Sequence, residues 1–302
     1  MRHAYLILAH AHWKQLRTLL ALLDDERNDI FVHVDARAAS FRQEDFEGAC
    51  SHSKLQFIQP RIPIHWGGVS IMRAELALLR AAVPGGYRYY HLLSGMDLPL
   101  KSQDEIHAWF REHDGLEFIQ CWQMKPSTPS RFRYYTLFPE GAGRFATNLA
   151  NNIFKGLQMA LGIRINRNVD FRFGSQWFSI TDDLTRYVLQ EEAWLERVFR
   201  HTNTCDEIFL PTLVARSPFR DRLFQGELSV PGSVNMANLR LVDWSRGESV
   251  RHPWTFRLQD WELLTHTPHF WARKFDDGVD AAIIEKLSDY LLKTVRNPDN
   301  EA

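Results

Sequence analysis

Ala4-Tyr5-Leu6-Ile7-Leu8-Ala9, closed by His10, reads as a strand: a short apolar run that stops at a polar residue. Behind it, residues 13–23 place Leu16, Leu19, Leu20 and Leu23 on one face of a helix. After the polar connection Asp24-Asp25-Glu26-Arg27-Asn28-Asp29, a second strand runs over 30–34. Strand, helix and strand at this spacing are the signature of an α/β fold. Further out, the pattern predicts a helix near 42–50, a strand at 55–58, a helix at 70–82 and a strand at 88–93. Ser70 is the expected N-cap of the 70–82 helix, and Gly85-Gly86 its stop. Beyond a loop through Pro99, Ser102 and Glu105 have the spacing of a capping box, and a strand follows at 116–120.

Residues 121–170 lose this regularity. Prolines and glycines (Pro126, Pro129, Pro139, Gly141, Gly143) interrupt the stretch, and Arg131, Arg133, Arg144, Arg164 and Arg167 are scattered through it. The expectation is a loop-rich insertion at the mouth of a site. A strand at 176–181, an amphipathic helix at 182–199, a short helix near 206–215 and a final helix at 279–294 complete the pattern. With no linker-like run, the chain is expected to be one domain, 1–302, with an α/β half at 1–120 and a second half at 121–302.

Composition narrows the classes. A chain of 302 residues, 45% hydrophobic, buries a sizeable core and is not disordered. Its 36 Lys+Arg against 37 Asp+Glu, spread along the chain, give a net charge of −1 and no bulk affinity for nucleic acid. No stretch approaches the roughly 18 to 20 apolar residues of a membrane span, and the N-terminus lacks the pattern of a secretory signal. Cys50, Cys121 and Cys205 are odd in number and not in CxxC spacing, which argues against a disulfide scaffold. Together these suggest a soluble, cytoplasmic protein.

Open α/β sheets bind ligands at the carboxyl ends of their strands. Three residues stand there: His10, Asp35 and Asp97. A carboxylate such as Asp35 suits ribose hydroxyls or a base edge, and equally a solvated turn. The pairs His10-Ala11-His12 and His33-Val34-Asp35 lack partners at zinc spacing, and no Asp-x-Asp motif stands at Ser94-Gly95-Met96-Asp97. A serine-hydrolase Gly-x-Ser-x-Gly and a phosphate-cradling Walker loop are also missing; Trp66-Gly67-Gly68-Val69-Ser70 is the nearest glycine-rich turn. Thr204-Cys205-Asp206-Glu207 puts adjacent carboxylates before an apolar helix. Phe270-Trp271-Ala272-Arg273-Lys274-Phe275 brackets two cations with aromatics, which suits metal-free neutralisation of a diphosphate and equally a snorkelling surface pair.

These segments, with Leu92-Leu93-Ser94-Gly95-Met96-Asp97-Leu98-Pro99 and Gly174-Ser175-Gln176-Trp177-Phe178 between them, occur in the order of a known family. From about residue 3 to 277 the chain resembles the core-2/I-branching enzymes, glycosyltransferase family fourteen, which contains β-1,6-N-acetylglucosaminyltransferases and peptide O-xylosyltransferases. The resemblance implies a GT-A-type fold, with the nucleotide bound in the first half and the acceptor and catalytic groups in the second. It implies an inverting transfer from a UDP-sugar without a metal cofactor. Glu207 then corresponds to the catalytic base, and Arg273 and Lys274 to the cations that stabilise the departing diphosphate. Val32 and Asp35 match the uridine-binding strand end, Gly67, Gly68, Ser94 and Gly95 the loops beside the nucleotide, and Trp177 the segment facing the donor sugar. Arg251 stands where some animal members carry a further phosphate-binding arginine.

Gln176 replaces the Asp of xylosyltransferases, and the Ala-Tyr of the branching enzymes is not here either, so the donor stays open between GlcNAc, xylose and another UDP-sugar. Without the anchor and the disulfides of animal members, the chain looks like a bacterial-type enzyme acting on a glycan or a lipid-linked acceptor at the inner face of the membrane. Arg131-Phe132-Arg133-Tyr134-Tyr135 is a candidate acceptor groove. The alternative is a non-catalytic relative that binds a nucleotide-sugar or glycan as an assembly module.

Overall fold

The structure, a computed structural model, describes residues 1–65, 67–124, 131–141, 145–228, 236–246 and 252–296. Its main sheet is built from β1 (His3–Ala9), β2 (Asn28–Val34), β3 (Lys54–Phe57), β4 (Tyr89–Ser94) and β8 (Ser179–Thr181), in the order β3-β2-β1-β4-β8. The first four strands are parallel and β8 is antiparallel to β4. This is the mixed α/β architecture that the spacing predicts.

Strand β1 explains the layering, because its side chains alternate between two cores. Ala4, Leu6 and Leu8 pack with Met72, Leu76 and Leu79 of α2 (Ser70–Ala82). Tyr5, Ile7 and Ala9 pack with Leu16, Leu19 and Leu20 of α1 (Trp13–Leu23) on the opposite face. A strand covered on both faces needs an uninterrupted apolar run, which is what β1 has. The sheet's order reverses at β1, where β2 continues to one side and β4 lies on the other. The carboxyl ends there are aligned, with Ala9 opposite Val34 and Leu8 opposite Ser94. In open α/β sheets this switch point opens a crevice for ligands.

A second sheet, β5 (Asp97–Pro99), β10 (Trp271–Arg273) and β9 (Arg240–Val242), closes over that edge. Its register places Arg273 opposite Asp97. Arg240 joins the two sheets: its buried guanidinium donates to the carbonyls of Leu92 (3.2 Å) and Phe178 (2.6 Å) and lies 4.6 Å from the Trp271 ring centre. Both halves of the sequence therefore contribute to both sheets. The other elements are α3 (Gln103–Glu112), β6 (Trp122–Gln123), α4 (Phe145–Ala160), β7 (Arg172–Phe173), α5 (Asp182–Gln190), α6 (Glu192–Phe199), α7 (Phe209–Ala215), α8 (Trp261–His266) and α9 (Ala281–Arg296). Among the described residues no helix is long and apolar enough to cross a membrane.

The capping box is present: the Ser102 hydroxyl accepts from the Glu105 amide (3.3 Å) while the Glu105 carboxylate accepts from the Ser102 amide (2.7 Å). Several expectations are corrected. The helix near 42–50 is only a 3-10 turn over Gln43–Phe46. Ser70 does not cap α2; it is its first residue, behind Val69, and its hydroxyl donates to Glu140. The strand at 116–120 is reduced to isolated bridges at Glu117 and Phe118, and the 182–199 helix breaks at Glu191 into α5 and α6. The insertion between 121 and 170, expected to be loop-rich, carries the sixteen-residue helix α4.

Candidate active site

Two groups of side chains converge on the crevice. The first surrounds Glu207. A turn from Cys205 to Phe209, with the Phe209 amide donating to the Cys205 carbonyl (2.8 Å), sets Asp206 and Glu207 just ahead of α7. Gly67, at φ +74°, accepts from the Thr204 amide (2.8 Å) through its carbonyl, and so fastens the glycine turn to the start of this segment. The Glu207 carbonyl accepts from the Gly174 amide (2.8 Å). Gly174 admits no side chain, because a Cβ there would stand 1.9 Å from the Gln120 carbonyl oxygen.

Burial pushes the Glu207 carboxyl up to about 7, the charge of Asp206 pushes the same way, and Arg131 opposes both. Asp206 is itself raised, to about 6, by burial. Behind them Glu75 of α2 is fully buried and raised well above the ordinary carboxylate range, by burial first and Asp206 second. It accepts from the Gln176 amide (2.8 Å), while its other oxygen and Asp206 Oδ1 find no hydrogen-bond partner among the described residues. Buried carboxyls left short of partners are costly and tend to mark working sites.

The second group centres on Arg273. Its guanidinium donates to Asp97 (2.9 Å) and lies over the Trp177 ring, 4.6 Å from the centroid. Asp97 is buried, which raises its carboxyl; Arg273 and the Ser94 amide, at 2.8 Å, pull it back. Lys274 follows, half-buried, and among the described residues no carboxylate lies within ion-pair distance of its ammonium. The aromatics flanking the two cations do not cover them: Trp271 and Phe275 are core residues, and Trp177 supplies the stacking surface instead. Gln176 and Trp177 are consecutive, so one connection, between β7 and β8, carries both the Glu75 contact and the Arg273 contact.

The strand ends fill the rest. The Asp35 carboxylate accepts from the amides of Arg37 (2.9 Å) and Ile64 (3.2 Å) and from the Arg37 guanidinium (3.0 Å). Burial opposes its ionisation, but these donors outweigh it and hold the acid below its ordinary range. Val32 is fully buried and packs in the core with Ile30 and Val34. The Ser94 hydroxyl accepts from the Met96 amide (3.2 Å) and the Gly95 amide donates to Leu8 (2.9 Å), which shapes the turn leading to Asp97. Gly68 is held open differently: a Cβ there would meet Glu140 Oε2 at 2.1 Å, and the Glu140 carboxylate binds the Ser70 amide (3.0 Å) and hydroxyl (2.7 Å) at the start of α2. Arg251 and Trp66 lie outside the described residues.

Sequence reading missed Glu75, which looks like an ordinary helix residue until its burial is known. It also left His12 without partners; Asp277 Oδ1 lies 2.5 Å and Asp276 Oδ1 3.6 Å from its Nδ1. These three are the one group among the described residues whose atoms converge within 4.8 Å as metal ligands would. Two concavities open elsewhere, one of about 470 Å³ beside Phe46 and Cys50 and one of about 520 Å³ beside Trp194 and Arg216. Neither contains a site residue expected from sequence.

The sequence is similar to those of known proteins. The chain is 26% identical over 308 residues to xylosyltransferase 2 of Canis lupus familiaris and 27% over 309 residues to that of Bos taurus, in each case over 96% of this chain and 34% of the relative. Xylosyltransferase 1 of Pan troglodytes is 22% identical over 307 residues. The chain thus spans about a third of the length of these relatives. Among solved structures, apo mouse xyloside xylosyltransferase 1 superposes with a TM-score of 0.36 and 9% identity, covering 89% of this chain and 97% of that one. Residues 3–267 match the Core-2/I-Branching enzyme family, and the chain belongs to that family.

Proposed function

We propose that the protein is a GT-A-type glycosyltransferase that moves a sugar from a UDP-sugar to a hydroxyl of a glycan or glycoconjugate, in one inverting displacement. The observation that carries this reading is that one short segment, residues 174–177, touches both groups: the Gly174 amide donates to the Glu207 carbonyl, Gln176 donates to the buried Glu75, and Trp177 stacks with Arg273. Ionised Glu207 takes the proton of the acceptor hydroxyl as its oxygen forms a bond to the anomeric carbon. The bond from that carbon to the diphosphate oxygen breaks, and UDP leaves with the electron pair. Arg273 and Lys274 neutralise the charge that grows on the leaving group, the task a divalent metal performs elsewhere. Asp35 and the Ser94-Gly95 turn hold the uridine end at the switch point, and the Gly67-Gly68 turn sets the position of the base.

The donor in this reading is UDP-xylose or UDP-GlcNAc. Likeness to xylosyltransferases favours the former, and Gln176, tied to Glu75, does not decide between them. The acceptor is at a membrane on its cytoplasmic side. The test is a thermal-shift and UDP-release screen against UDP-xylose, UDP-GlcNAc, UDP-glucose and UDP-galactose, each with chelator and with manganese. Stabilisation and slow UDP release with one donor in chelator is the expected result. Activity only with manganese would overturn the cation-only mechanism and turn attention to His12, Asp276 and Asp277. No response to any uridine nucleotide would overturn the transferase reading.

A further inference from the structure

Helix α4 is built inside out. Over 145–160 its residues segregate by helical period: Phe145, Leu149, Ile153 and Leu157 recur every four positions on one flank, with Asn151, Lys155 and Gln158 on the other. A surface helix ordinarily turns its apolar flank to the core. Here the polar flank does so, and Gln158 is the one buried residue of the helix. Its side-chain amide accepts from the Tyr135 amide (2.9 Å) and donates to the Tyr135 carbonyl (2.9 Å). Asn151 repeats the arrangement with Phe138, at 2.9 and 3.3 Å. The apolar flank faces water: Phe145 is 85% exposed, Ile153 57% and Leu157 56%, and Leu161 just past the helix is 72% exposed. Side-chain amides, with half-buried Phe154 between them on the same face, therefore hold α4 to the body, while the Phe145-Leu149-Ile153-Leu157 flank takes no part.

A contiguous apolar surface of this kind marks an interaction site. Charge identifies the partner. From 131 to 167 the chain carries six basic residues, Arg131, Arg133, Arg144, Lys155, Arg164 and Arg167, against the single acid Glu140, in a protein whose net charge is −1. Arg131, Arg164 and Arg167 are exposed, and the Glu140 carboxylate is engaged at Ser70. At sixteen residues, about 24 Å long, α4 is too short to span a bilayer but suits lying along its surface. A second copy of the chain would bring the same arginines to the same rim, so pairing through α4 would set like charges together.

We propose that α4 and its flanks form a membrane-docking surface: α4 lies in the plane of an anionic bilayer, with its apolar flank at the acyl boundary and the surrounding arginines among the headgroups. This goes beyond the transferase reading and stands or falls separately from it, because vesicle binding needs no donor and no turnover.

The test is flotation of the purified full chain with vesicles of phosphatidylcholine alone and of phosphatidylcholine with phosphatidylglycerol. Binding to the mixed vesicles, weakened by salt, is expected. The double substitution Leu149→Asp with Ile153→Asp should lower partitioning roughly ten-fold or more, with an unchanged melting temperature and unchanged UDP release in solution. Arg164→Gln and Arg167→Gln should each lower it roughly five-fold. Absence of binding at low salt, or equal binding by the double variant, would overturn the proposal. So would a dimer in solution that the double substitution converts to monomer, which would assign the surface to a second copy.

Discussion

Replacing Glu207 by Gln should make the protein more stable while removing its activity. In the folded chain the Glu207 carboxyl is raised from 4.5 to about 7, a difference worth about 3 kcal/mol if fully expressed, and about 1 to 3 kcal/mol for a side chain that keeps some contact with water. The sign follows from which state releases its proton first. Below pH 4.5 both states are protonated and the residue imposes no penalty. As the pH rises from 4.5 to about 7 the unfolded chain ionises while the folded one holds its proton, so the fold loses stability, and above pH 7 the loss is complete. Glutamine has no proton to lose. Urea and thermal melts of the wild type and Glu207→Gln at pH 4.5 and pH 8 would measure the effect. The variant should gain about 1 to 3 kcal/mol at pH 8, roughly 2 °C in Tm for each kcal/mol, and little at pH 4.5. Sugar transfer to the acceptor should fall by roughly 10²-fold or more. Equal stability at pH 8, or a gain that is larger at pH 4.5, would refute the argument that burial of this carboxyl is what tunes it.

The same environment shapes the rate profile: activity should rise with pH through about 7, reaching roughly a tenth of its plateau at pH 6. Arg131→Ala should move that limb to higher pH and Asp206→Asn to lower pH, and shifts in the same direction would contradict the assigned causes. Gly68→Ala should cost about 1 to 3 kcal/mol by dislodging the Glu140 carboxylate from Ser70. In a Glu140→Ala background that cost should largely vanish, and a double-mutant cycle showing simple additivity would remove the link. Burial pushes His33 and His107 down to about 4, so between pH 6.5 and 4 the unfolded chain takes up protons that the folded one refuses, and each residue withdraws about 3 kcal/mol by pH 4. His107→Gln should flatten the decline of the urea midpoint with falling pH, and a curve parallel to wild type would count against it.

Much of the first half was legible because long-period physics governs it. A two-sided buried strand requires the unbroken run at β1, an amphipathic helix requires the leucine spacing of α1, and a cap leaves the pair Ser102 and Glu105. Strands β5 and β10 were hidden, being three residues each and specified by what they pair with. Helix α4 was hidden for a different reason. Pro126, Pro129, Pro139, Gly141 and Gly143 all lie before it, and its apolar flank has no core to answer to, so the usual link between periodicity and burial gives no guidance. In the candidate site, Glu207, Arg273 and Asp35 were named from order and type, whereas Glu75, Glu140 and the Asp276-Asp277 partners of His12 depend on contacts between segments far apart in sequence. Val32 shows the converse: it stands three residues ahead of Asp35, and the two-residue period of a strand turns it into the core.

Arg240 bears on how this protein comes apart. Its guanidinium holds carbonyls of β4 and next to β8 while its backbone belongs to β9, so peeling the C-terminal sheet away would strip a buried cation of its acceptors and leave the Leu92 and Phe178 carbonyls each short of one donor. The last third of the chain is thereby bound into the same cooperative unit as the parallel sheet, and slow-exchanging amides should extend across both. Arg273, one strand over, sits on that shared unit, so its position is as firm as the core itself and does not depend on a loop closing around the donor.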